Sequence, residues 1–484
     1  MGTINRRVIR WATFWVSALL VIQRAGELLK SVFLARWFSK EEMGMVAILL
    51  MLHRGIEAFT QMGHEAALVQ RPDADLDEAI DTAFVSGIGR GIFLAALVAF
   101  SAAAVADFYR EPKLTMFLAV SGALFVVNGL RNLAMVKMTR NVDLKHPKLV
   151  LAYGAVTDVV LTVGSALASI GIWCVVIGRV AGGLATAIAT HVVAPRRVRF
   201  RFSTERFKEL FRYGVNIQGI AILMFLVTQM DDAVVGRVLG LDELAVYVIA
   251  YTMATLPVSN VVAIASEVAF PTWAAVARGG DIKARNKMFV DTLRFCWGLS
   301  IALAVALVAG GEDLIALIFG DKWRPAAQPL TILVGISVAR TLSGTFGALF
   351  NASGKPHITL REVIARVVLI AALLIPLTRQ WGLIGASWAV TGPMLAIMPI
   401  ATWFYARISG IGMGPLMQAL WRPIVAGSFA WAGIFALREL PAWNGLPSPV
   451  KGIAGTAIAL LIVIGFTAAA DAKFRRFVWR RKEA

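Results

Sequence analysis

VFLARWFSKEEMG occupies Val32 to Gly44, and AVVGRVLGLDELA occupies Ala233 to Ala245, about 200 residues further on. One ungapped offset superimposes Leu34 on Val235, Arg36 on Arg237, Phe38 on Leu239, Glu42 on Glu243 and Gly44 on Ala245. Each copy leaves a long apolar segment that carries ionisable residues, so the chain reads as two copies of one membrane half. In membrane proteins, paired repeats place a substrate site between the halves, and alternating access comes from rocking one half against the other. Transport is therefore the first function class to weigh.

Composition agrees. Hydrophobic residues make up 58% and charged residues only 16%, with mean hydropathy +0.71, whereas soluble domains carry roughly one-quarter charged residues. A soluble fold is excluded on this ground. The net charge of +18 and pI of about 10.4 would suggest nucleic-acid binding in a soluble protein. In a membrane chain, topology and anionic lipid headgroups account for it, so anionic membrane lipids are expected partners and nucleic acid is not. Cys174 and Cys296 lie in or beside apolar stretches and read as packing residues rather than a disulfide or metal framework. The basic stretch Met1 to Arg10 precedes an apolar run, but Arg24, Glu27 and Lys30 interrupt that run and no small-residue cleavage site follows, so it reads as a retained first span.

A window of about 19 residues yields roughly fourteen candidate spans. Their centres fall near Leu19, Leu52, Leu94, Phe125, Val160 and Val180, then along Ile217 to Val235, then near Tyr251, Ile301, Val338, Ile370, Val390, Phe429 and Leu460. The expected fold is an all-α polytopic membrane protein: two halves of about six helices each, residues 1–205 and 206–408, followed by a helix pair and basic tail over 409–484. Loops on the N-terminal side hold Lys137, Arg140, Lys145 and Lys148, then Arg196 to Lys208, then Arg278 to Lys287, and finally the tail Lys473 to Lys482. The alternate loops are short and poor in cations. The positive-inside rule puts the basic side, with both termini, in the cytoplasm.

An ionisable group at mid-bilayer costs about 2.5 to 3.5 kcal/mol on the lenient insertion scale, so such groups are expected to face a cavity. In the first span Gln23, Glu27 and Lys30 follow helical spacing, with Arg24 beside them. In the second, Arg54, Glu57, Gln61 and His64 or Glu65 share a face, with His53 four residues before Glu57. These stripes line a cavity, or Arg24 with Glu27 and Arg54 with Glu57 are neutralised pairs that only fix helix packing. The seventh span supplies Gln229, Asp231 and Asp232, and the eighth Tyr247, Tyr251 and Asn260. Adjacent aspartates point about 100 degrees apart on a helix. Either one is an ion site, or both are surface acids just before Arg237. Arg179, Arg294, Arg340 and Arg366 are further cavity cations, with Arg294 and Arg366 also placed to snorkel.

Several motifs lead nowhere. Asp73, Asp75 and Asp77 form DxDxD in a short loop with no nucleotide-binding domain around it, and read as a solvated acidic loop and helix cap. Gly87, Gly89 and Gly91 follow no strand, and Gly178 with Gly182 reads as close helix packing. His64 and Glu65 lack the second histidine of a zinc protease, and the sequon at Asn351 falls on the cytoplasmic side. No Walker lysine motif is present, and no cofactor is expected.

LARWFSKEEMGMVA (Leu34 to Ala47), FTQMGHEAALVQ (Phe59 to Gln70), QMDDAVVGRVLG (Gln229 to Gly240), LAVYVIAYTMATLP (Leu244 to Pro257), LFNASGKPHITL (Leu349 to Leu360) and WGLIGASWAV (Trp381 to Val390) stand in this order over most of the chain. In these segments the chain resembles the oligosaccharide flippases of the polysaccharide transport family, relatives of the lipid II flippase and of multidrug and toxin extrusion proteins. Such families often show a lone Asp ahead of the repeat arginine; here Asp231 and Asp232 stand together. The resemblance implies a bacterial inner-membrane protein that moves undecaprenyl-diphosphate-linked oligosaccharide to the periplasmic leaflet for lipopolysaccharide or exopolysaccharide biosynthesis. Polysaccharide polymerase or glycosyltransferase partners are expected with it.

Arginine suits a diphosphate because its guanidinium donates two parallel charge-assisted hydrogen bonds. Arg24, Lys30, Arg54 and Arg340, with Gln61, Gln229 and Asn260, are the expected substrate-binding groups. Glu27, Glu57, His64, Asp231 and Asp232 are the candidate carriers of a coupling proton or sodium ion. Two other classes stay open: a cation-coupled multidrug exporter of similar fold, which favours an anionic cavity, and a polytopic polymerase or ligase, which needs a long periplasmic loop.

Overall fold

The computed structural model describes residues 19, 23, 25–60, 63–71, 75–141, 143, 145–255, 282–352, 356–440, 445 and 447–470, and no strand occurs among them. They fall into two compact units, Met1–Phe225 with Gly240–Asp242, and Leu226–Leu239 with Glu243–Ala484. In chain order the first unit holds α1 (residues 25–37), α2 (Lys40–Thr60), α3 (His64–Gln70), α4 (Leu76–Tyr109), α5 (Leu114–Ser121), α6 (Ala123–Gly129), α7 (Val136–Arg140), α8 (Lys145–Leu167) and α9 (Trp173–Val193). Helix α10 (Thr204–Val238) runs from the first unit into the second. The second continues with α11 (residues 241–255), α12 (Ile282–Phe319), α13 (Ala327–Ala352), α14 (Pro356–Ser409), α15 (Met413–Arg438) and α16 (Ser448–Ala470).

Each predicted span centre falls on a helical residue. The expected count of fourteen does not follow from this. Among the described residues, eight helices are long and apolar enough to cross a membrane, or nine if a pair bent by 49° between Gly129 and Leu133 is one span. The centres near Ile370 and Val390 lie on α14, a single 54-residue run interrupted at Gly382. There φ is 59° and ψ is −137°, a conformation open to glycine and strained for other residues.

The repeated motif has a local structural cause. At its first copy Ser39 and Glu42 form a reciprocal capping box: the Ser39 N–H donates to Glu42 Oε2 at 2.8 Å and the Glu42 N–H donates to Ser39 Oγ at 3.1 Å. Just before it, the Phe38 N–H donates to the Leu34 carbonyl at 2.8 Å; in the second copy the Leu239 N–H donates to Val235 in the same way at 2.9 Å. Gly240, with φ 96°, makes the turn there without a capping serine. The motif is thus the sharp turn between two helices, built twice by different chemistry.

In the first unit α8 packs on α9 through small residues. A Cβ on Gly182 would lie 2.7 Å from the Gly154 carbonyl, and one on Gly178 would lie 2.7 Å from the Asp158 carbonyl, so the expected close packing at this glycine pair is observed. Gly91 and Gly129 do the same for α4 and α6, each leaving only 2.5 Å between an added Cβ and a facing carbonyl, on Phe125 and Gly87 respectively. Gly87 and Gly91 are therefore packing positions, whereas an added Cβ at Gly89 would meet nothing within 4 Å. Both cysteines are buried and unbonded.

The second unit centres on α12, against which α13, α15 and α16 pack. Trp297 on α12 is buried and its indole N–H donates to the Leu420 carbonyl on α15 at 3.0 Å. Phe289, Phe346, Phe350 and Tyr405 complete an aromatic core. Arg366 does not snorkel: it is buried, hydrogen-bonded to Glu362 and Ser343, and Tyr405 donates to the same Glu362. Burial of a guanidinium is tolerable only with such partners. Arg294 pairs with Asp291 at 3.5 Å.

The acids at the start of α4 are structural. Asp81, 2% exposed, accepts two hydrogen bonds from Arg196 at 2.8 and 2.7 Å and one from the Arg199 backbone N–H at 2.9 Å. Asp77 pairs with Lys137 at 2.5 Å and Asp75 with Arg206 at 3.3 Å. Asp75 sits at the N-cap of α4 but caps no backbone N–H, which corrects the helix-cap expectation: Arg206 draws its carboxylate away. Asp73 lies outside the described residues.

Arg71 hydrogen-bonds Glu209, and Arg206 adds a second contact at 3.4 Å. The Arg71 hydrogen bond, with Arg206 behind it, holds the Glu209 carboxyl below its ordinary value of 4.5. A carboxyl lowered on folding contributes stability above its unfolded value and loses it as pH falls through the folded one. Acidification below about pH 4.5 is therefore expected to loosen the start of α10 and the linker before it, read as faster amide exchange over 195–210. Glu209→Gln should give that faster exchange already at pH 7; unchanged exchange on acidification would show that the pair holds nothing.

Candidate functional site

The first unit encloses a cavity of about 500 Å³ between α2, α3, α4 and α6, lined by Glu57, His64, Glu65, Arg90, Asn128 and Arg131 among others. Its location follows from a broken helix. Beyond α6 the chain bends instead of continuing, because Asn132, 1% exposed, ties the break down. Its backbone N–H donates to Thr190 Oγ1 at 3.0 Å, its amide donates to the Arg196 carbonyl at 2.9 Å, and its side-chain oxygen accepts from the Ala134 N–H at 2.9 Å. The preceding residue, Arg131, is thereby delivered to the cavity wall. Arg90 reaches it from α4 and donates to Thr60 Oγ1 at 2.7 Å.

Four buried polar atoms around this cavity have no hydrogen-bond partner: Arg90 Nε, Arg131 Nε, His64 Nε2 and Asn128 Oδ1. Unsatisfied buried polar atoms cost about 1–3 kcal/mol each, so their convergence on one cavity marks a place built for a polar ligand or water. Glu57 and Glu65 act electrostatically on Arg131, and Glu57 on Arg90. The cavity is mixed in charge, with two guanidiniums facing two carboxylates and a histidine.

A second cluster lies deeper in the same unit. Lys30 on α1, 7% exposed, is bound by Asp158 on α8 at 2.5 Å, and Thr162 donates to the other carboxylate oxygen at 3.0 Å. Arg179 acts electrostatically on both Lys30 and His53. His53 is buried, with Nε2 3.0 Å from Ser121 Oγ and its ring edge-on to Phe125 at 5.0 Å. Glu27 is exposed and acts on Lys30 from one turn away. Lys30 is thus already neutralised, which its spacing with Gln23 and Glu27 did not reveal. The partner, Asp158, is a lone acid in an apolar span and was open to discovery by the same mid-bilayer argument. Arg54 is exposed on α2.

In the second unit Asp231 and Asp232 are 2% and 9% exposed. The surface-acid alternative is therefore wrong: tertiary packing covers both, although they precede a charged turn. The Tyr247 hydroxyl donates to Asp231 Oδ2 at 2.8 Å, while Asp231 Oδ1 is buried without a partner. Gln229 donates to Asp232 Oδ2 at 3.3 Å. Arg340 on α13 donates to the Tyr251 hydroxyl at 2.5 Å and lies 5.6 Å from that ring, and the Tyr247 and Tyr251 rings are 6.2 Å apart. Arg340 also acts on Asp231. One network thus unites four residues singled out from sequence, Asp231, Tyr247, Tyr251 and Arg340.

Arg24, Gln61 and Asn260 lie outside the described residues. No group of three or more His, Cys, Asp or Glu able to hold a metal ion occurs among the described ones. Arg90 and Arg131 escaped the sequence reading. Arg90 sits between glycines in a run weighed only as a GxGxG motif, and Arg131 falls in a helix break that apolar windows smooth over.

An all-helical chain of two membrane units, each with buried charges inside it, has the build of a membrane transporter. Residues 33–328 match the polysaccharide biosynthesis protein family, and the chain belongs to that family. It is 22% identical over 370 residues to the teichuronic acid biosynthesis protein TuaB of Bacillus subtilis (strain 168), covering 75% of each chain. To the lipopolysaccharide biosynthesis protein WzxC of Escherichia coli (strain K12) it is 19% identical over 391 residues, covering 80% of this chain and 78% of that one. In fold it is similar to the inward closed lipid II flippase MurJ, with a TM-score of 0.72 at 14% identity over 96% of this chain and 99% of that one.

Proposed function

We propose that this protein is a flippase that translocates undecaprenyl-diphosphate-linked oligosaccharide across the bacterial inner membrane by alternating access, with both termini cytoplasmic. Family membership and the flippase fold supply the class. The observation that carries the chemistry is the first-unit cavity, where Arg90 and Arg131, both half-buried, line the wall and each has an Nε–H that no protein atom accepts. Such donors fit phosphoryl oxygens, for which guanidinium is the best-matched side chain. A multidrug exporter for cationic compounds is disfavoured by the same two arginines. Glu57 and His64 at this cavity, and Asp231 in the second-unit network, are the proposed carriers of a coupling proton or sodium ion.

Proteoliposomes loaded with labelled lipid-linked oligosaccharide test the reading. Protein-dependent appearance of label in the opposite leaflet is expected, with little or no transport of cationic dyes. Dye transport without glycan flipping would overturn the proposal. Equal flipping with and without a pH or sodium gradient would remove the coupling part alone.

A further inference from the structure

Helix α9 shows a second face that the transport reading does not use. Leu184, Ile188 and Val192 recur every fourth residue, forming one stripe along the helix. They are 44%, 57% and 78% exposed. Together with Leu130, His191 and Arg197 they line a groove of about 550 Å³ on the outside of the first unit. The His191 Nε2–H donates to the Leu130 carbonyl at 2.9 Å, fixing the floor.

The groove is apolar along the helix and cationic at one end. That end is where α9 stops at Val193 and a non-helical linker begins. Phe200, 82% exposed, and Phe202, 52% exposed, stand on this linker, the kind of aromatic side chain enriched where a membrane meets water. Arg197, Arg199 and Arg201 are exposed beside them. The local acids are already committed: Asp81 and Asp77 to Arg196 and Lys137, and Glu78 and Glu209 to Arg206. Arg199 still feels Asp77. None of these acids pairs with Arg197.

We propose that this groove is a binding site for one anionic phospholipid, its phosphate on Arg197 and an acyl chain along Leu184, Ile188 and Val192. A bilayer supplies this occupant wherever the helix end meets the headgroup layer, and the uncompensated cation selects for negative charge. The site is separate from the first-unit cavity and independent of what the chain transports.

Native mass spectrometry of the delipidated full chain in detergent, titrated with palmitoyl-oleoyl phosphatidylglycerol or phosphatidylcholine, tests it. The wild type is expected to retain one phosphatidylglycerol about fivefold more tightly than phosphatidylcholine, the effect of one basic residue at a membrane surface. Arg197→Gln should abolish that preference, whereas Arg212→Gln, an exposed cation on α10 away from the groove, should leave it intact. Ile188→Trp, which fills the groove but keeps Arg197, should weaken retention of both lipids and serves if Arg197→Gln does not fold. Free glycerol phosphate should not compete. Equal retention of the two lipids by the wild type, an undiminished preference in Arg197→Gln, or displacement of phosphatidylglycerol by equimolar undecaprenyl phosphate would each overturn the proposal.

Discussion

Asp158→Ala is expected to destabilise the protein by about 3–5 kcal/mol, the usual effect of removing one partner from a buried ion pair. Lys30 and Asp158 are 9% and 18% exposed in their side chains, 2.5 Å apart. Loss of the carboxylate leaves the ammonium buried beside the positive Arg179. It also leaves Thr162 without an acceptor at the point where Gly178 closes on α8. Thermal unfolding in detergent measures this, and a midpoint unchanged from wild type would show that the pair contributes nothing. The double variant Lys30→Met with Asp158→Leu should regain most of the stability, since both members of the buried pair are then neutral. The same double variant separates two roles for Lys30. Retained glycan flipping would make it a packing residue, and lost flipping in a stable protein would restore it as a substrate cation.

Arg90→Gln with Arg131→Gln is expected to lower flipping by more than about 100-fold, because each charge-assisted hydrogen bond to phosphate is worth about 1.5–3 kcal/mol. The single variants should each lose about tenfold or more. Gln keeps much of the side-chain volume and can still donate a hydrogen bond, so the folded protein should persist; its midpoint of unfolding is the control. Each arginine has an Nε buried without a partner, so the substitution removes an unsatisfied group while losing the Arg90 hydrogen bond to Thr60 and the attraction to Glu57 and Glu65, and stability is expected to change little. Wild-type flipping in the double variant would remove the first-unit cavity from the transport path. Flipping that falls only in step with stability would make both arginines structural.

The division between what was legible and what was not follows the range of the interactions. Helical class, membrane residence, span centres and the close approach at Gly178 and Gly182 depend on local composition and period, and the sequence alone determined them. The repeated motif was legible as a repeat but not as a turn, because Ser39 with Glu42 and the single Gly240 reach the same geometry by different means. A mid-bilayer charge announces that it needs a partner without saying which one. Lys30 lies 128 residues from Asp158, and Arg340 lies 89 from Tyr251, so only the fold could pair them. Asp231 likewise feels Arg340 only because the fold brings α13 to it, although its hydrogen-bond partner Tyr247 is 16 residues away. The cavity itself depends on a bend pinned by Asn132 to Thr190 and Arg196, contacts that no local window contains. Desolvation makes each buried charge conspicuous in sequence, but its role is set by which opposite charge, hydroxyl or empty space the packing brings within hydrogen-bond distance, and that was decided by tertiary structure alone.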